Sequence, residues 1–160
     1  FNMEKLEKQY YTPTIEEFYV GFEYEKLILD TWTKSKVTWG NGYSDDTTTR
    51  PININTIGNF LENGKNSIRV KFLDREDVKD CNWIKFNLDG VECYTKIYKG
   101  RCWYLWYNDL PFISINEGLV GNKYKDTFQI YKGECLNKSE LRYIEKKLKI
   151  KNEINQPNNQ

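Results

Sequence analysis

Apolar and polar residues alternate one by one through most of this chain and switch to helical spacing in only a few places. In residues 19–25, Val20, Phe22 and Tyr24 fall on one side while Glu23 and Glu25 fall on the other, which predicts a half-buried strand. Gly21 inside it marks a bulge or a close backbone approach. Residues 31–39, rich in Thr and Trp, predict a second strand, and the Gly, Ser, Asp and Thr run of 40–49 is loop chemistry. Alternation returns in 67–72, where Ile68, Val70 and Phe72 interleave with Ser67, Arg69 and Lys71. Residues 83–88 and 91–98 flank Asp89-Gly90, a two-residue signal for a type I′ hairpin. Lys99-Gly100 makes a similar turn into 101–107, and 111–116 and 127–131 predict further strands.

Helical spacing appears in 53–62, where Ile54, Ile57, Phe60 and Leu61 recur and Gly64 stands just past the end. Asp74 is placed to cap the amide of Asp77 and open a short helical turn. The clearest helix spans 138–149. Asn137 is its N-cap, Glu140 closes a capping box, and Leu136 with Leu141 makes a hydrophobic staple. Leu141, Ile144 and Leu148 mark its apolar face, and Lys146, Lys147, Lys149 and Lys151 load the end that favours cations. These elements predict an α+β fold: a mainly antiparallel sheet of about six to eight strands, a short internal helix or two, and a C-terminal helix packed on the sheet. The expected core is Val20, Phe22, Ile68, Val70 and Phe72 in the first half. In the second half it is Ile84, Phe86, Ile97, Leu105, Ile130, Leu141, Ile144 and Leu148. The length suits one globular domain over 12–150, with an N-terminal arm at 1–11 and a polar tail at 151–160.

Composition narrows the chemistry. The 24 Lys and Arg nearly balance the 23 Asp and Glu, so bulk nucleic-acid binding is not expected. Histidine is absent, which removes the usual general base, the Ser-His and Cys-His couples and most zinc sites. Cys81, Cys93, Cys102 and Cys135 show no metal-knuckle spacing, and free thiols are the expectation. The chain opens on Phe1-Asn2-Met3 without an apolar leader and contains no long apolar run, so an intracellular protein with no membrane span is expected. No catalytic residue, metal ligand or cofactor is assigned.

Candidate binding residues come from two places. The run Trp103-Tyr104-Leu105-Trp106-Tyr107 puts Trp103, Leu105 and Tyr107 on one strand face and Tyr104 and Trp106 on the other. Two aromatic faces mean either a central strand covered on both sides or a surface for a stacked base or a protein, with Arg101 beside it to meet phosphate. The same surplus could be buried in a homodimer. Arg69 and Lys71 lie on the polar face of their strand, where they are candidates for a partner or for cross-strand pairs with Glu23 and Glu25. Glu23 with Glu25, and the cluster of Asp74, Glu76 and Asp77, offer carboxylates to a metal-dependent hydrolase, but a solvated face or a helix cap is the better reading of both.

Three stretches together resemble a family of small uncharacterised proteins of bacteriophages and prophages. They are the opening from Tyr11-Thr12-Pro13-Thr14-Ile15-Glu16-Glu17-Phe18 to Gly21-Phe22-Glu23-Tyr24-Glu25, the central Arg69-Val70-Lys71-Phe72-Leu73-Asp74-Arg75-Glu76-Asp77-Val78, and the closing Asn137-Lys138-Ser139-Glu140-Leu141 helix. The resemblance covers about a third of the chain in the expected order and implies a phage-encoded accessory protein in the host cytoplasm. It implies no reaction. The function expected on that basis is non-catalytic and anti-defence: binding a host protein or sequestering a small nucleotide ligand. A structural component of the phage particle is the alternative.

Overall fold

The computed structural model describes residues 10–38, 68–107 and 112–151. The expected loop at 40–49 and helix at 53–62 lie outside these residues, as do 1–9 and 152–160. The chain divides into two compact units, residues 1–72 and 73–160. Both are antiparallel, and the α+β class holds: the described residues form two sheets of four and five strands and two α-helices.

The first unit holds β1 (Tyr10–Tyr11), β2 (Glu23–Ile28), β3 (Thr31–Lys36) and β4 (Ile68–Lys71), in the order β1-β4-β2-β3. Tyr10 and Tyr11 pair with Lys71 and Val70, so the last two residues of the expected arm belong to the sheet. Phe18, Phe22, Tyr24, Val37, Ile68 and Val70 form its core. A two-residue turn at Leu29-Asp30 joins β2 to β3, with φ of 46° and 62°. A positive φ at leucine costs about 1–2 kcal/mol, so the sequence carries no turn signal there.

The second unit begins with α1 (Arg75–Asp80), capped as expected: the Asp74 carboxylate accepts from the amide of Asp77 at 2.9 Å. Five strands follow as a meander in sequence order: β5 (Ile84–Leu88), β6 (Val91–Tyr98), β7 (Arg101–Tyr107), β8 (Phe112–Leu119) and β9 (Phe128–Glu134). Asp89-Gly90 and Lys99-Gly100 both take positive φ, as type I′ turns require. The last helix, α2 (Lys138–Lys147), stops two residues earlier than the spacing predicts. Asn137 caps it, accepting from the Glu140 amide at 2.8 Å. The Glu140 carboxylate reaches past the N-cap and accepts from the Leu136 amide at 2.6 Å, so the expected capping box closes one residue further out.

Leu141 and Ile144 pack α2 against Trp103, Leu105, Ile113 and Ile115 on one face of this sheet. The opposite face carries a smaller cluster of Leu88, Cys93, Cys102 and Tyr104, with Trp106 beside it. Three expected core residues are corrected. Ile84, Phe86 and Ile97 are exposed, at 64%, 40% and 43%. On β6 the side facing the helix is Tyr94, Lys96 and Tyr98, the more polar of its two sides. Hydrophobic alternation picks the wrong face here because a buried ion pair, described below, holds Lys96 under the helix. Val20, Phe72, Ile130 and Leu148 are half-buried and not fully enclosed.

Phe22→Ala in the first core should cost about 3–5 kcal/mol and Leu105→Ala in the second about 2–5 kcal/mol. One domain over 12–150 requires both substitutions to lower the midpoint of a single urea transition. Two transitions, each moved by one substitution alone, would make the units separate domains.

Candidate functional site

The six residues singled out from the sequence do not come together. Arg69 and Lys71 stand on β4 of the first unit and the others on β7 of the second. Arg69 answers Glu25 across the strands, its Nε donating to Oε2 at 2.8 Å, as a cross-strand pair was expected to do. Its guanidinium also lies over the rings of Tyr10 and Trp32, with centroids 3.7 and 4.2 Å away. Lys71 faces Tyr10 across β1 and β4.

On β7 the aromatic alternation is as read, but it serves the core. Trp103 is only 2% exposed and packs beneath α2, so it offers no stacking surface. Tyr104 is buried on the other side, and burial pushes its phenol upward. Trp106 is half-buried there, edge-on to Tyr124 at 5.2 Å. Arg101 is exposed and forms an ion pair with Glu117 on β8. A central strand covered on both sides explains the aromatic run, and its capacity to bind is reduced to Trp106 and Arg101.

A concave site of the second unit lies elsewhere. A cleft of about 600 Å³ opens where the C-terminal half of α2 passes β6 and the end of α1. This volume falls within the usual range of small-molecule sites. Lys96 and Tyr98 come from β6, Arg142, Glu145 and Lys146 from α2, and Asp80 from α1. The i, i+3 and i+4 spacing of Arg142, Glu145 and Lys146 places all three on one side of the helix. Lys151, beyond the helix end, completes the rim with its ammonium 5.7 Å from the Tyr98 ring.

The floor is an ion pair. Lys96 Nζ donates to Glu145 Oε1, both residues are buried, and the Trp83 ring lies 5.1 Å from the ammonium. Burial pushes the Glu145 carboxyl above its ordinary 4.5, against the smaller downward pull of Lys96. Asp80, at the rim, pairs with Lys138 Nζ at 3.0 Å. Both carboxylates of the cleft therefore carry their own lysine, and Lys146 and Lys151 add two further cations. The lining thus carries more cationic than anionic side chains and includes one planar aromatic ring, Tyr98. Composition hid it, since the net charge of +1 averages this cluster with acidic surface elsewhere. The signal that was legible is the run of lysines at the helix end, which reads on its own as a match to the helix dipole.

Among the described residues no group of three or more Cys, Asp or Glu is arranged to hold a metal ion, and no helix is long and apolar enough to cross a membrane. All four cysteines are free and buried. Burial pushes the thiols of Cys81 and Cys93 up to about 11 and that of Cys135 higher still.

A thiol reagent at pH 8 should accordingly find almost no reactive cysteine in the native protein and four after denaturation. A pH dependence is expected of Glu145, whose folded pKa lies above the unfolded 4.5. Its contribution to stability is whole below 4.5 and is lost as pH rises through the folded value. Glu145→Gln should remove that part of the pH dependence, so the difference in stability between wild type and variant changes from pH 4 to pH 7. A constant difference would show that the carboxyl titrates normally.

Comparison with known proteins returned no match: no family model fits the chain, and no curated protein and no solved structure matches it. The reading of function therefore rests on the geometry of the cleft.

Proposed function

We propose that this chain is a non-catalytic binding protein whose ligand is a small phosphate-bearing molecule, held in the cleft between α2 and β6. The observation that carries this reading is the charge arrangement: both carboxylates are already matched by lysines, and Lys146 and Lys151 add positive charge around an open cavity. Phosphate oxygens are the natural complement of such a surplus.

Of the two functions expected from the sequence, sequestering a nucleotide signal fits this site better than gripping a host protein. The aromatic run was expected to serve either a stacked base or a protein, and burial of Trp103 and Tyr104 takes it from both, so the preference rests on the cationic cleft. Taken with the resemblance to phage proteins, the reading is an accessory factor that removes a host nucleotide signal in the host cytoplasm. It acts there as an anti-defence protein.

Calorimetric titration with cyclic di- and trinucleotides and with adenosine diphosphoribose tests the reading. Micromolar or tighter binding of one of them is expected, weakening as salt is raised. Lys146→Glu with Lys151→Glu should abolish it while leaving the circular dichroism spectrum unchanged. Silence across the panel, or binding indifferent to the double substitution, would overturn the cleft as a nucleotide site.

A further inference from the structure

The five-stranded sheet ends, among the described residues, in an open strand. β5 pairs with β6 on one side only, and of the usual guards of a sheet edge it carries a lysine alone. It contains no proline, glycine or bulge across its five residues, Ile84-Lys85-Phe86-Asn87-Leu88. Its single charge, Lys85, is tied at 3.0 Å to Glu92 of the neighbouring strand. Apolar side chains stand exposed along it: Ile84 and Phe86 on β5, with Val91 and Ile97 on the same face of β6.

The hairpin geometry determines which backbone groups are open. The two-residue turn closes on the pair Leu88–Val91, so the amides and carbonyls of Ile84, Phe86 and Leu88 point toward β6. Those of Lys85 and Asn87 point outward. We propose that β5 pairs antiparallel with β5 of a second copy of this chain across a two-fold axis at Phe86, joining two five-stranded sheets into one of ten.

The register is self-complementary. About that axis Phe86 meets its own copy in a non-hydrogen-bonded pair, where side chains come closest. Lys85 stands opposite Asn87 of the other copy, and these two residues exchange the four outward backbone hydrogen bonds. Ile84 lies opposite Leu88, so the apolar face runs on unbroken from one copy to the other. No lysine faces a lysine, and the Lys85–Glu92 pairs remain intact on the other face. The opposite sheet edge lacks this symmetry. β9 exposes Lys132 and Glu134 as well as Phe128 and Gln129, and has a register shift against β8 between Ile115 and Asn116. The contact is small, so the dimer is a weak one that forms at micromolar or higher concentration.

Sedimentation velocity of the full chain between about 5 and 500 μM tests this. The expected result is a concentration-dependent shift to twice the monomer mass. Phe86→Lys, which sets two ammonium groups against each other at the axis, should weaken the dimer by about tenfold or more with an unchanged circular dichroism spectrum. Phe128→Lys on β9 should leave it intact. Because a charged edge can act indirectly, Phe86→Cys supplies a second readout. Opposed residues of a non-hydrogen-bonded pair lie within disulfide reach, so mild oxidation of the folded variant should give a covalent dimer absent from wild type. A monomer throughout the range, a dimer indifferent to Phe86→Lys, one lost on Phe128→Lys, or no cross-link in the Phe86→Cys variant would each overturn the proposal.

Discussion

The packing of α2 on one face of the five-stranded sheet governs the rest of the second unit. Leu141 and Ile144 enter the sheet between Trp103, Leu105, Ile113 and Ile115, and this contact makes the core. A helix of ten residues is about 15 Å long and about 10 Å wide, whereas five strands spaced about 4.8 Å apart span roughly 20 Å before side chains are counted. One helix therefore cannot cover that face. Where its C-terminal half passes β6 the cover is incomplete, and the gap is the cleft with Lys96 and Glu145 at its base.

That ion pair shows why the cleft is polar. Burying a lysine and a glutamate together roughly balances desolvation against attraction, so the pair adds little to stability, while removing one partner strands the other at a cost of about 3–5 kcal/mol. Its effect is one of orientation. It fixes the β6 side chains that face the helix as Tyr94, Lys96 and Tyr98, which sends Cys93, Thr95 and Ile97 to the other face. The exposed Ile97, and with it Ile84 and Phe86 in the same cross-strand row, is the consequence. The apolar edge and the cationic cleft are thus two results of one choice of face.

The first unit solves a similar problem by different means. Its outer face pairs charges across strands, Glu25 with Arg69 and Glu23 with Lys36, and lays the Arg69 guanidinium between Tyr10 and Trp32. Planar cation and planar rings shield one another there, so the surplus of aromatic residues need not all enter a core.

Wherever local physics acts alone, the sequence by itself determined the structure. Asp74 and Asn137 cap their helices because a short carboxylate or amide fits the orphan amides of a first turn, and Asp89-Gly90 turns because both residues tolerate positive φ. The α+β class followed from period-two alternation in segment after segment, and the Glu25–Arg69 pair from opposed charges on facing strands. Tertiary structure decided what alternation cannot rank. On β6 both faces carry large residues, and the choice rested on Glu145, which lies 49 residues away from Lys96 and is joined to it only by folding. The turn at Leu29-Asp30 was invisible because the pairing of β2 with β3 holds Leu29 at a positive φ that no local preference favours. The cleft was invisible for the same reason, its cations being scattered over β6, α2 and the chain beyond. Period and propensity are properties of neighbours in the chain, whereas a site is a property of neighbours in space.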